Sequence, residues 1–232
     1  MNGVLTISDN VKAVRERMNS ASADSGLGTR ELTLVAATKT MNPDAIRQAV
    51  DAGTDAVGEN RVQEFSEKLA LNAYEGVQTH FIGRLQKNKA KKLVGVVDLI
   101  QSVDSLELLR LIDRLAGNLG IVQEVLLQVN LDFEQSKGGI SADALLELCQ
   151  TASPMTSVKV RGLMAIPPAG LDSAAGRSYF SRMYKLFVDI HTQKYDNVSM
   201  DYLSMGMSGD FEDALREGSN MVRVGTAIFG GR

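Results

Sequence analysis

The chain has 232 residues, 25 basic against 28 acidic, a net charge of −3 and a sequence pI near 5.5. That length sits at the small end of what one (β/α)8 barrel needs, and the charge balance excludes a general nucleic-acid binder, which shows a basic excess or stripe. Four prolines, one cysteine (Cys149), two histidines (His80, His191) and 44% hydrophobic residues argue against long disorder, an intrachain disulfide and a structural zinc site. No apolar run approaches a membrane span, and MNGVLTISDNVKAVRERM lacks the basic-then-apolar pattern of a signal peptide, so a cytoplasmic protein is expected.

From Ser8 to Ala23, Val11, Val14 and Met18, with Ile7 before them, share one helical stripe. After a Gly-containing loop, Leu32–Ala37 reads as a buried strand ending at Thr38-Lys39. Asn42-Pro43-Asp44 opens a helix with a cap, a proline at its first position and an early acid; Gly53 stops it. The pattern repeats. A strand at 56–58 precedes a helix from Asn60, where Asn60-Arg-Val-Gln63 has capping-box spacing. A strand at 79–82 precedes Gly83 and a basic helix. A strand at 96–100 leads through Ser102 to a helix opened by Asp104-Ser105-Leu106-Glu107, again at capping-box spacing. The longest strand, 122–129, ends at Asn130 and is followed by a helix over 142–149. A strand at 158–164 precedes a helix over 173–191 that points Phe180, Met183, Phe187 and Ile190 inward. Strand seven is 202–205, a short helix spans 210–216, and strand eight is 221–224, closed by Gly225-Thr226.

Strands alternating with helices mean right-handed crossovers and a parallel sheet. Eight strands predict a single (β/α)8 TIM-type barrel with an extra N-terminal helix, occupying 1–232 as one domain. A doubly wound open sheet is the alternative, weakened because no GxGxxG follows the first strand.

In such a barrel the chemistry gathers at the C-terminal strand ends. Lys39 ends an apolar strand, so its ammonium is expected to be partly desolvated, which lowers a lysine pKa and frees the amine to attack a carbonyl. A snorkelling strand-end lysine is the plainer alternative. Ser204-Met-Gly-Met-Ser208-Gly209 after strand seven and Gly225-Thr226 after strand eight combine close backbone amides, hydroxyls and a helix start near Asp210, the usual phosphate cup of barrels. By period-two alternation Arg223 shares a face with Gly225; an arginine paired to a carboxylate inside the barrel is the alternative. An imine-forming lysine, a phosphate cup and an arginine suit the aldehyde, phosphate and ring nitrogen of pyridoxal phosphate. A class I aldolase would also use a lysine and a phosphate site.

Six blocks carry a resemblance: Val35-Ala-Ala-Thr-Lys39-Thr40, Gly58-Glu-Asn60, Phe81-Ile-Gly-Arg84-Leu-Gln-Lys-Asn-Lys89, Arg161-Gly-Leu-Met-Ala-Ile-Pro167, Leu203-Ser-Met-Gly-Met-Ser208 and Val222-Arg-Val-Gly-Thr-Ala-Ile-Phe-Gly230. In this order they resemble the pyridoxal phosphate homeostasis protein family, which is similar to the N-terminal barrel of alanine racemase. The resemblance implies a barrel holding pyridoxal 5'-phosphate as an internal aldimine on Lys39. It places the phosphate on Ser204, Gly225, Thr226 and nearby amides such as that of Gly206, sets Arg223 at the ring nitrogen, and lines the ring pocket with Asn60 and Met205. It implies cofactor buffering or delivery in vitamin B6 homeostasis, without turnover, with pyridoxal phosphate-dependent apo-enzymes as possible acceptors.

Chemistry explains why binding need not become catalysis. An arginine stays protonated and donates to the pyridine nitrogen, leaving a poorer electron sink than a carboxylate partner would. Racemisation needs acid–base groups on both faces of the substrate carbon. In alanine racemase the second is a tyrosine from another domain of a partner subunit, and this chain stops at Arg232, just past strand eight. Of Tyr74, Tyr179, Tyr184, Tyr195 and Tyr202, only Tyr202 lies on a strand. A small racemase-like enzyme and a Schiff-base lyase acting on a sugar phosphate remain the alternatives.

Arg84, Lys87, Lys89, Lys91 and Lys92 put five cations in nine residues, read as a solvated helix face, with a steering or docking patch beside the mouth as the functional alternative. Neither nucleic acid nor membrane is an expected partner, and a closed barrel makes a monomer the default. His80 reads as a buried hydrogen-bonded histidine and Cys149 as inert packing.

Overall fold

Thr6 opens the first helix by reciprocal capping: its hydroxyl accepts from the Asp9 amide, and the Asp9 carboxylate accepts from the Thr6 amide. The computed structural model describes residues 6–131 and 138–231. Helix α1, Ile7–Asp24, buries Val11, Val14, Met18 and Ala21, as its stripe predicts. This face packs with Phe211, Leu215, Val222 and Ile228, so the extra helix covers the seam where the barrel closes.

The strands are β1 Thr33–Ala37, β2 Ala56–Glu59, β3 Gln78–Phe81, β4 Leu99–Val103, β5 Gln123–Val129, β6 Val158–Ala165, β7 Val198–Met207 and β8 Met221–Val224. They close in sequence order into a parallel barrel, with β8 against β1 in the register Val35↔Arg223 and Ala36↔Val224. The helices between and after them are α2 Pro43–Asp51, α3 Val62–Ala70, α4 Leu106–Leu119, α5 Ala142–Ala152, α6 Ser173–His191, α7 Phe211–Arg216 and α8 Thr226–Phe229. The predicted (β/α)8 barrel with its extra N-terminal helix is what forms. Val35, Ala56, Leu99, Leu126, Met164 and Met221 make one small apolar cluster drawn from six of the strands, while a larger cluster joins strands to helices.

Several local expectations are corrected. The strand expected at 96–100 lies three residues later, because the Val96 and Val97 amides both bond to Leu93 O in a turn and Gly95 has φ +77°. The basic segment forms a short 3-10 helix, Lys87–Lys92, in which four lysines fall within two turns. Asn60 does not cap α3: Arg61 holds that position without a side-chain hydrogen bond. Ser105, not Asp104, caps α4, accepting from the Leu108 amide. Strand β7 is longer than its apolar stretch, and α8 follows β8 where no helix was expected.

One glycine shapes the mouth directly. A Cβ at Gly83 would lie 2.0 Å from Asn60 O, so the chain after β3 can cross the chain after β2 only with glycine there.

Candidate functional site

The mouth is built from the register of β8, β1 and β2. The β1–β2 pairing Ala37↔Gly58 brings Thr38 and Lys39 level with Glu59 and Asn60. On the other side, a Cβ at Gly225 would stand 3.4 Å from Ala37 O and 3.5 Å from Ala37 Cβ. The glycine after β8 thus lies beside the residues that lead into Lys39.

Lys39 is exposed, in a turn beyond β1. This corrects the expectation of a desolvated ammonium: the strand before it is buried, but the residue itself has left the strand. Its neighbours are held tightly. Thr38 is fully buried, with its amide on Gly58 O and its hydroxyl donating to Glu59 Oε1 at 2.6 Å.

Near its end β7 bends at Gly206, which has φ +94°; a Cβ there would sit 2.7 Å from Ala214 Cβ and 2.9 Å from Phe211 Cα. Only glycine fits. Beyond it, Ser208 Oγ accepts from the amides of Gly225 at 3.1 Å and Ala227 at 3.3 Å. A hydroxyl oxygen thus already draws two convergent amides at the start of α8, the arrangement an anion would use. Thr226 is exposed beside them.

Ser204, the serine singled out for the phosphate, is fully buried and turned the other way. Its hydroxyl donates to Gln101 Oε1 at 2.7 Å and accepts from Arg223 NH1 at 2.7 Å. Arg223 also donates to Ser204 O and Ala165 O, each at 2.9 Å. Among the described residues no carboxylate forms an ion pair with it, so the alternative of a carboxylate-paired arginine is not what is seen. Burial pushes its pKa down to about 10, with Asp210 and Tyr179 offsetting part of this. At neutral pH it remains a cation inside the barrel. Met205 is fully buried in the large strand–helix cluster, because it alternates with Ser204; its side chain does not face the mouth. Gln101 and Ser208 carry weight in this geometry that no local pattern marks for Gln101, and that the glycine-rich loop does mark for Ser208.

Gln101 Nε2 lies 2.9 Å from His80 Nδ1, which extends the polar line across the barrel. Burial pushes the His80 pKa down to about 4 from 6.5, with Asp98 opposing weakly. Folded His80 stays neutral where the unfolded chain protonates, so stability is complete above pH 6.5 and is lost as pH falls toward 4. That gap is worth about 3 kcal/mol. Urea unfolding at pH 7 and pH 4.5 should show the loss, and His80→Gln should remove most of it; an equal loss in the variant would sink the assignment to His80.

Asn60 is half-buried and lines two cavities. One, of about 250 Å³, lies among Asn60, Gly83, Gln128, Asn130 and Ile166. The other, a cleft of about 1260 Å³, runs along the basic segment past Arg61, Arg84, Lys87, Lys89 and Lys92, with Asp104 and Glu107 on its wall. Neither includes Lys39; they open on the β2–β5 side of the mouth. The five cations of 84–92 are exposed and, among the described residues, form no ion pairs, as a solvated face should. Ser102 Oγ, at the end of β4, is buried with no hydrogen-bond partner.

The remaining candidates resolve simply. Cys149 is buried, and burial pushes its thiol up to about 12, so it is inert packing. Tyr202 pairs with Gly162 in the β6–β7 register, two residues before Ser204, under the Arg161 guanidinium. Among the described residues no His, Cys, Asp and Glu cluster could hold a metal, and no helix is long and apolar enough to cross a membrane.

Comparison with known proteins places this geometry. Residues 6–232 match the family described as "Alanine racemase, N-terminal domain". The pyridoxal phosphate homeostasis protein of Aquifex aeolicus is 41% identical over 224 residues, covering 97% of each chain. PipY of Synechococcus elongatus, solved without PLP and with PLP bound, superposes with TM-scores of 0.87 and 0.85 at 35% and 34% identity, over 97% of this chain and all of that one. Alanine racemase of Clostridium difficile shares the fold at TM-score 0.74 and 14% identity, over 97% of this chain and 60% of that one. The chain belongs to the alanine racemase N-terminal domain family and, within it, to the pyridoxal phosphate homeostasis proteins.

Proposed function

We propose that this chain binds pyridoxal 5'-phosphate and serves its intracellular homeostasis, buffering or delivering the cofactor with no turnover of its own. The observation that carries this reading is the structure of PipY with PLP bound, whose fold covers 97% of this chain at 34% identity. The residues present fit such a ligand. Ser208 and the Gly225 and Ala227 amides offer an anion cup beside β1. Arg223 is a buried cation without an ion pair, suited to an electron-rich ring nitrogen.

Within this reading, Lys39 is the point of covalent attachment. The cofactor supplies an aldehyde, which condenses with a lysine amine as a C=N bond forms and water leaves. Exposure of Lys39 leaves its Nζ reachable from the mouth. Asn60, Gly206 and Thr226 flank the ligand, Ser208 takes the phosphate role first read for Ser204, and Ser204 holds Arg223 in place. Arg223 donates rather than accepts a proton at the ring, which disfavours carbanion chemistry. The phenol of Tyr74 is bonded to Glu59 and raised in pKa by burial and by that carboxylate, so it offers no base.

The five cations of 84–92 leave −8 on the rest of a chain of net −3. They would draw a phosphorylated aldehyde, or the acidic surface of an acceptor apo-enzyme, toward the mouth. A closed barrel can do this as a single chain, and a single cysteine suits a cytoplasmic setting.

The test is the visible spectrum of the purified protein before and after addition of pyridoxal 5'-phosphate. A yellow protein, bleached by borohydride, is expected; Ser208→Ala should raise the cofactor concentration needed by about tenfold, as loss of a hydrogen bond to a charged group does. A protein that stays colourless in excess cofactor overturns the reading. Steady turnover of an amino acid dependent on Lys39 would replace it with a small racemase-like enzyme.

A further inference from the structure

Among the described residues three that are not glycine have positive φ: Thr40 at +65°, Asn72 at +53° and Lys194 at +53°. Asparagine tolerates this region, and Lys194 sits in an exposed loop after α6. Thr40 is the β-branched one, the type that resists it most. It directly follows Lys39. A strained residue persists only where its surroundings over-determine it, and such residues gather at functional sites.

The surroundings here are unusually strong for a turn. The Thr40 amide donates to Glu64 Oε1 at 2.6 Å. On the other side of Lys39, Thr38 O accepts from the Met41 amide at 3.0 Å, which is all a turn requires, and also from Lys68 Nζ at 2.7 Å. Lys68 Nζ further pairs with Glu59 Oε1 at 2.5 Å and lies 3.6 Å from Glu64 Oε1. Glu59 Oε1 gathers Thr38 Oγ1, Lys68 Nζ and Tyr74 OH, while its Oε2 has no partner. Glu59 and Lys68 are 1% and 6% exposed. A buried ion pair is costly to desolvate and is weak evidence of stability. Here its partners are the residues flanking one exposed lysine.

We propose that Glu59, Glu64 and Lys68 form a positioning clamp for Lys39. They are positioning residues: they fix the backbone on both sides of Lys39, aim its flexible side chain over the mouth and leave Nζ uncommitted. Lys68 is itself kept out of the chemistry, since its ammonium is engaged with Thr38 O and two carboxylates. The inference rests on the reading of Lys39 as the attachment point. Misaiming a reacting group by about 1 Å can slow a reaction up to about 100-fold, whereas the phosphate cup lies just past β7 and β8, and Arg223 within β8, away from the clamp.

Two measurements on the full chain separate these. The first is the rate at which the visible band grows after mixing with pyridoxal 5'-phosphate. The second is equilibrium binding of deoxypyridoxine 5'-phosphate, which keeps the ring and phosphate but lacks the aldehyde. Lys68→Met, Glu64→Gln and Thr40→Gly should each slow capture, Lys68→Met by about 10- to 100-fold, with affinity for the analogue unchanged within about twofold. Thr40→Gly is decisive, because glycine accepts φ +65° without strain and also frees the turn to leave it: its melting temperature should hold or rise while capture slows. If Lys68→Met fails to fold, the two milder variants decide. Wild-type capture rates in Glu64→Gln and Thr40→Gly, or capture falling in step with analogue affinity or melting temperature, overturn the clamp. Failure of the wild type to capture the aldehyde, or undiminished capture by Lys39→Ala, would instead overturn the underlying reading.

Discussion

Lys39→Ala protein, mixed with pyridoxal 5'-phosphate and treated with borohydride, should carry no stoichiometric covalent label and show no yellow band. The effect is the largest expected of any single substitution, because it removes the amine itself. The fold should not notice. Lys39 is exposed, and removing its side chain breaks no buried contact, so stability should change by less than about 0.5 kcal/mol. The nearest buried lysine, Lys68, cannot substitute, since its ammonium is held by Thr38 O and Glu59. The analogue without an aldehyde should still bind, because the cup and Arg223 are intact. Peptide mapping of the reduced wild type should find the label on Lys39. A label of equal stoichiometry in the variant would remove Lys39 from the role and send the search to the exposed lysines of 87–92.

Arg223→Met should separate binding from stability, with a large loss of the first and little change in the second. The guanidinium is 4% exposed, and three of its N–H bonds go to the neutral acceptors Ser204 O, Ser204 Oγ and Ala165 O. Its charge is desolvated without a paired carboxylate, which costs several kcal/mol. Methionine of similar length forfeits all three hydrogen bonds and leaves both carbonyls, Ser204 O and Ala165 O, short of a donor, at about 1–3 kcal/mol each. The two terms are of similar size, so the cofactor-free variant should melt within about 4 °C of the wild type, a difference of about 1 kcal/mol. A hydrogen bond to a charged group contributes about 1.5–3 kcal/mol, so affinity for deoxypyridoxine 5'-phosphate should fall at least about tenfold. Unchanged affinity would place the ring nitrogen elsewhere.

How much of this was legible beforehand depends on the range of the interaction. The strands at 123–129 and 221–224 and the helix at 173–191 were readable because apolar periodicity reports burial of one face, and burial is what the barrel supplies. Misplacement of β4 has a local cause: Val96 and Val97 are as apolar as a strand, but the turn at Gly95 consumes their amides. Capping was misjudged by one residue at both Asn60 and Asp104, because two polar residues stood at each helix start and spacing does not choose between them. Alternation assumes that β8 continues through Gly225, but the strand stops at Val224 and Gly225 already opens α8. Ser204 and Ser208 flank the same glycine turn, and nothing in their spacing says which hydroxyl turns inward to Arg223 and which meets the Gly225 amide.

By itself the sequence determined the alternation of strands and helices, and therefore a parallel barrel with its strand ends at one face. It also determined which residues lie at or just past three of those strand ends: Lys39, Asn60, Arg223 and Gly225. These are properties of local periodicity and chain direction, which tertiary packing preserves. Only the tertiary structure decided the partners. Ser204 meets Gln101 across 103 residues, Arg223 meets Ala165 across 58, and Lys68 reaches back 30 residues to hold the carbonyl beside Lys39. Such pairs are set by strand register and barrel closure, which bring distant side chains within hydrogen-bonding distance and bury them together. No local propensity encodes that choice, because a buried polar group binds whatever acceptor closure places beside it.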